Sequence, residues 1–234
     1  MRREQYKRIM DNGCIFYAPL TNDSLDVVGG KVSIREAALY GADGAFFNAT
    51  QKYLAYELTE EEFKSVKTIY LEFKRTTDKY ETMTLHCLGG LTGNVYGDSS
   101  SNQDGVNRSY RNIWHNFDCL TGKFSKNDKS DWKSDYDDAS NTIVTKDSFH
   151  KAVTCTYSNS QHIWLDGTQD LLRTDRDTFY DYDFTQHHHT GLYFFVGGRT
   201  LRKTENKEFE GYIRNVMMFN KEFSNAELAA MTAL

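Results

Sequence analysis

No pair of cysteines in this sequence has C-x-x-C spacing. The four cysteines, Cys14, Cys87, Cys119 and Cys155, are scattered, which argues against a zinc site. Free thiols serving as small core residues are the expectation, with one or two disulfides as the alternative. No apolar run approaches the length that spans a bilayer, which argues against membrane insertion. No charge of one sign dominates: 28 Lys and Arg stand against 33 Asp and Glu, for a net charge of −5. That balance gives no electrostatic reason to expect nucleic acid or an anionic membrane as partner. Proline is nearly absent, and Pro19 breaks the first apolar stretch. The start of the chain is basic at Arg2, Arg3, Lys7 and Arg8 but has no apolar segment behind it, so no secretory signal is visible. The setting this fits is a virion component, assembled in the cytoplasm and exposed on lysis. If a leader has been removed, the alternative is an extracellular or cell-surface protein.

Chemical signatures are equally sparse. There is no nucleophile elbow, P-loop or dinucleotide fingerprint. A strand motif E-x-D-x-(x)-E, which would set a nucleophile and an acid about 5–5.5 Å apart on one face, is missing as well. The nearest pair is Glu208 and Glu210, without a central aspartate or a third acid. The expectation is therefore a protein that is not an enzyme. Ser-His-Asp triads leave no local signature and stay open.

Aromatic residues are plentiful, with 15 Tyr and 15 Phe, which suits strands. The length fits one all-β domain with a sizeable core. We read residues 1–12 as an N-terminal arm, in which Tyr6, Ile9 and Met10 share a helical face, and residues 13–234 as the sandwich. Ile69, Leu71 and Phe73 alternate as one face of a strand. Strands are expected over Cys14–Leu20, Val27–Ala38 with a Gly29-Gly30 break, Ala45–Asn48, Thr68–Lys74, Tyr80–Leu88, Ala152–Tyr157 and His162–Leu165. Gly89-Gly90 is expected to end the fifth of these, and Asp166-Gly167 to make a tight turn. Thr59 with Glu62 and Ser224 with Glu227 each fit a capping box opening a short helix.

Glu208–Phe223 is the stretch around which the others arrange. Phe209, Gly211 and Ile213 alternate with polar residues, then Val216–Phe219 is continuously apolar, as where both faces are covered. Gly211 inside this strand marks a close backbone approach. Phe209, Gly211, Ile213, Val216, Phe219, Asn220, Phe223, Ser224, Glu227 and Leu228 together resemble the closing signature of laminin-G-like domains, of the concanavalin A-like lectin/glucanase superfamily. Phe16–Leu20, Gly44–Asn48 with Tyr53-Leu54, Phe149–Gly167 and Tyr193–Gly198 resemble further family elements in the family's order. The resemblance implies an antiparallel β-sandwich, a concanavalin A-like jelly roll, with a short C-terminal helix. That fold carries lectins, adhesion modules and glycosidases alike.

Two polar, irregular stretches, 91–140, with short strands expected near Tyr110–Trp114 and Asn116–Cys119, and 168–190, are candidate binding loops. Trp132, Tyr136, Tyr180 and Tyr182 sit there among Asp, Asn and Gln, offering rings to stack on a sugar and planar groups for its hydroxyls. His188, in the His187–His189 run, is a further candidate contact. Laminin-G-like domains often bind calcium at a loop rim, which points to Asp181 and Asp183, with Asp175 and Asp177, or to Asp135, Asp137 and Asp138, as oxygen ligands. Solvated acidic loops are the plainer reading of both clusters. The function expected is non-catalytic recognition of a glycan or glycoprotein. The alternative is a virion decoration, fibre or assembly protein whose loop aromatics contact a homo-oligomer or larger assembly. A glycosidase comes third.

Overall fold

The computed structural model describes residues 7–8, 10–37, 39–48, 52–77, 86–95, 108–116, 119–124, 144–158, 160–173, 189–198 and 209–233. Among the described residues there are thirteen strands: β1 Cys14–Ala18, β2 Leu39–Gly41, β3 Gly44–Asn48, β4 Leu54–Leu58, β5 Thr68–Arg75, β6 His86–Val95, β7 Arg108–Asn116, β8 Cys119–Phe124, β9 His150–Thr156, β10 Gln161–Leu165, β11 Thr168–Arg173, β12 His189–Val196 and β13 Glu210–Phe219. Among the described residues two short helices accompany them, α1 Glu60–Ser65 and α2 Asn225–Thr232, and residues 7, 8 and 10 are helical as well. One sheet has eight strands in the order β11-β10-β9-β5-β13-β3-β2, with β1 also on β13; the other has five, β4-β12-β6-β7-β8. Every pairing is antiparallel.

The expected β-sandwich is the observed fold. Alternation along the strands sends Ile69, Leu71 and Phe73 of β5 and Leu192, Phe194 and Val196 of β12 into one shared core. Phe16 packs edge-on against Tyr56 and Phe194, with ring centroids 4.7 and 5.4 Å apart.

β13 is the central strand of the large sheet, bonded along one edge to β5 and along the other first to β3 and then to β1. Gly211 has φ +147°, and a Cβ there would lie 2.2 Å from the carbonyl oxygen of Lys74 on β5. The register breaks between Arg214 and Met217, where Asn215 takes φ +51°. This bulge inverts the facing of the strand. Ile213 points to the inter-sheet core, and beyond the bulge Val216 and Met218 do so instead. Met217 and Phe219 then face outward, into a second cluster with Tyr70, Val153, Cys155, Trp164 and, from α2, Leu228 and Met231. The apolar run is thus covered on both faces, by the second sheet and by the helix. Ser224 and Glu227 close the capping box of α2, and Thr59 and Glu62 that of α1. Serving Ser224 from both sides, with Lys221 3.0 Å away, holds the Glu227 carboxyl down at about 2. Its contribution is present above the ordinary carboxylate range and lost as pH falls toward 2. Ser224→Ala should cost about 1 kcal/mol in chemical unfolding.

Three expectations fail for physical reasons. Val27–Ala38 contains no strand among its described residues. The Ser33 hydroxyl donates to the carbonyl of Ala55 (3.2 Å) and accepts from its N–H (2.8 Å), so a side chain takes the place of ladder bonds along β4. Gly89-Gly90 does not end a strand but lies within β6, where a Cβ on Gly89 would come 2.9 Å from Leu71 of the opposite sheet; glycine here admits close packing. Part of 168–190 is strand β11, because Asp166 (φ +48°) and Gly167 (φ +83°) form a two-residue hairpin turn that needs a strand on each side.

Candidate functional site

The loop residues singled out from sequence, Trp132, Tyr136, Tyr180, Tyr182, His188, Asp181 and Asp183, lie outside the described residues. Asp135, Asp137, Asp138, Asp175, Asp177 and His187 do too, while His189 opens β12. Among the described residues no three His, Cys, Asp or Glu side chains are grouped to hold a metal ion. No helix of the described residues is long and apolar enough to cross a membrane. Cys14 and Cys155 are free thiols of the helix-covered cluster. Burial pushes Cys14 up to about 11 and raises Cys155 as well, so both are poor nucleophiles.

What the described residues do bring together is a patch that sequence reading missed. Helix α2 covers only one half of the outer face of the large sheet. On the other half, cross-strand pairing builds two rows. One runs Lys151–Glu72–Arg214 across β9, β5 and β13. The other sets Lys74 of β5 beside Tyr212 of β13 and Tyr212 beside Phe46 of β3, with Phe149 ahead of β9. Glu72 is buried; its carboxylate accepts from Tyr70 Oη at 2.9 Å and from Arg214 Nε at 2.8 Å. The Arg214 guanidinium lies 3.7 Å from the centroid of Phe149. Lys74 Nζ sits over both Phe149 (4.8 Å) and Tyr212 (4.6 Å) and pairs with Asp43 at 2.8 Å. Phe46 and Tyr212 rings are 5.0 Å apart and tilted by 45°. A Cβ on Gly44 (φ +106°) would come within 2.7 Å of the Arg214 Cβ, so glycine leaves the arginine its space. Alternation marked only two of its members: Tyr212 and Arg214 face opposite to Gly211 and Ile213.

A second constellation joins His150, Asp166 and Thr145. His150 Nδ1 is 2.6 Å from Asp166 Oδ2, and Nε2 is 3.0 Å from the Thr145 carbonyl and 3.1 Å from its Oγ1. The order is that of a triad, but a carbonyl only accepts. Nε2–H is therefore committed to it, and the nearly buried imidazole clamps the Asp166-Gly167 turn to the 145 segment. Burial alone would lower this histidine's pKa, and Arg75 opposes its charge too. The hydrogen bond and charge of Asp166, with the Thr145 carbonyl, outweigh them and raise it above its ordinary value. A raised pKa means that the clamp's stabilisation is complete below about 6.5 and is lost as pH rises through the higher folded value. Wild type should therefore lose unfolding free energy across that alkaline-going window, and His150→Gln should flatten the dependence in denaturant titrations at several pH values.

No protein-family profile and no curated protein sequence matches the chain. Solved structures do resemble it. Trypanosoma rangeli sialidase in complex with sialic acid superposes with a TM-score of 0.64 at 10% identity, over 92% of this chain and 32% of the sialidase. The chain thus spans about a third of that enzyme's length. Domain 4 of a GH43 extracellular arabinanase from Geobacillus stearothermophilus, in complex with arabinotriose, gives 0.56 at 11% identity, over 94% of this chain and 98% of that domain. The CBM40 of Ruminococcus gnavus IT-sialidase, bound to α2,3-sialyllactose, gives 0.54 at 16% identity, over 87% and 96%. At these identities the likeness establishes the fold, a β-sandwich of the kind found in carbohydrate-active proteins.

One expectation is overturned here. The chain was read as not an enzyme because it lacks the paired-acid strand motif, yet structures it resembles at TM-scores of 0.60 to 0.64 are sialidases, which are enzymes. The fold is enzyme-associated. The motif test is blind for a physical reason: catalytic groups carried on separate strands leave no local spacing in the sequence.

Proposed function

We propose that this chain is a glycan-recognition domain. One observation carries the reading: the chain matches, over nearly their full length, two compact domains whose structures hold arabinotriose and α2,3-sialyllactose. The open half of the large sheet's outer face, with ring faces beside polar donors, supports the same chemistry. The segments that follow β8 and β11 are proposed as further contacts, through Trp132, Tyr136, Tyr180, Tyr182 and His188, with Asp181 and Asp183 as oxygen ligands for Ca²⁺. The laminin-G-like affiliation rests on the sequence signature carried by β13 and α2. Retention on immobilised oligosaccharides tests the loop contacts. The double substitution Trp132→Ala, Tyr182→Ala should weaken retention at least about tenfold with the unfolding midpoint unchanged. Chelator should reproduce part of that loss if the aspartates hold calcium.

A second reading, assembly, is favoured by one feature. The large apolar side chains exposed among the described residues, Leu25, Val27, Val28, Val32, Ile34 and Leu39, all fall within residues 25–39. Leu39 belongs to β2, the outermost strand of its sheet, and an edge of this kind suits a second copy across a two-fold axis. Light scattering should then report a dimer that Val32→Glu with Ile34→Lys reduces to monomer.

A further inference from the structure

We infer that the half of the large sheet's outer face that no described residue covers is itself a sugar site, and that it takes an uncharged sugar ring. The inference rests on the glycan-recognition reading and assigns it a place and a ligand class. Three features of the patch carry it.

The first is unused polar capacity in a fixed frame. Arg214 is immobilised by its Nε bond to buried Glu72 and by stacking on Phe149. Its two terminal nitrogens have no hydrogen-bond partner among the described residues, and its side chain is 30% exposed. The Tyr212 hydroxyl likewise has none. A guanidinium held by one edge and open at the other presents two parallel donors, the geometry that meets neighbouring oxygens. Little rotamer freedom remains to be lost on binding.

The second is apolar area beside those donors. The half-buried Phe46 and Tyr212 rings adjoin on neighbouring strands, with Lys74 Nζ over the Tyr212 ring at 4.6 Å, so a sugar's C–H face can rest on Phe46 and on the part of Tyr212 that Lys74 leaves open while its hydroxyls reach Arg214 and Tyr212 Oη.

The third is charge. Two of the three cations in the rows are ion-paired, Arg214 with Glu72 and Lys74 with Asp43, while Lys151 faces Glu72 across the strand pair and donates to the Ala233 carbonyl. Glu210 lies outward one step along β13. The three positive groups are balanced by three negative ones, and the chain as a whole carries −5. A carboxylate-bearing sugar would meet no net attraction, whereas hydroxyls can use donors of a neutralised pair.

The test uses the full chain and calorimetric titration with neutral probes (arabinotriose, lactose, xylotriose) and one acidic probe (α2,3-sialyllactose). Two variants probe the patch: Tyr212→Ala, which removes the ring and hydroxyl, and Arg214→Lys, which keeps a charge for Glu72 but loses the fork. Unfolding midpoints check that both remain folded. The expected result is binding of at least one neutral probe, weakened about tenfold or more by each variant. Affinity should change less than about twofold between about 0.05 and 0.5 M salt. Unchanged neutral-probe affinity in both folded variants would overturn the patch while leaving glycan recognition standing. Binding of the acidic probe alone would overturn the uncharged class. Failure of wild type to bind any probe would overturn this inference and the reading beneath it together.

Discussion

Replacing Asp26 by alanine is expected to lower the unfolding free energy by about 3–5 kcal/mol. Asp26 is fully buried, and its carboxylate accepts three backbone N–H groups: Tyr17 at 2.8 Å, Val28 at 3.0 Å and Gly29 at 2.8 Å. Its own backbone closes the same turn, with Asp26 N–H donating to Lys31 and Gly30 N–H to Asp26. Alanine would leave three donors without an acceptor, each costing about 1–3 kcal/mol when buried, with incomplete additivity because water enters the vacated space. Asp26→Asn should fall between. Its amide oxygen can still serve Tyr17 and Val28, but its NH₂ would face the N–H of Gly29, donor against donor. Urea unfolding of the three proteins gives the ranking directly. Equal stability of wild type and Asp26→Ala would show that the carboxylate does not hold the turn.

Gly211→Ala is expected to cost on the order of 3 kcal/mol or more, and Gly211→Val should prevent folding. The added Cβ meets the Lys74 carbonyl at 2.2 Å and the Arg75 Cα at 2.9 Å, both backbone atoms of the paired strand. Neither can rotate away as a side-chain tip would. The φ of +147° adds strain for any side chain. β13 is bonded on both edges, so relief would have to break its pairing with β3 or β5. An alanine protein with wild-type stability would mean that the two strands separate more readily than this register implies.

The same strand explains what was legible in the sequence. Gly211 declared a close approach, Val216–Phe219 declared two covered faces, and Ser224 with Glu227 declared the helix that covers one of them. Each is a local signal with a local cause. The patch of Phe46, Phe149, Lys74, Tyr212 and Arg214 was not legible, because its members lie on four chain segments as far apart as residues 46 and 214. Only strand order brings them together. The bulge at Asn215 was equally hidden, since one extra residue is not marked by composition. Gly89-Gly90 misled because glycine signals both turns and close packing, and only the opposite sheet's Leu71 decides between them. The loop aromatics Trp132 and Tyr182 and the aspartates beside them stand out by their chemistry alone, and they fall outside the described residues.

Glycan recognition is tested most directly by a glycan-array screen of the purified chain, run with calcium and again with chelator. The proposal predicts a specific, saturable set of hits, with neutral oligosaccharides among them and signal lost in Tyr212→Ala. A clean negative in both conditions from a folded protein would contradict it and would shift the exposed apolar strip at residues 25–39 to the centre of the protein's function.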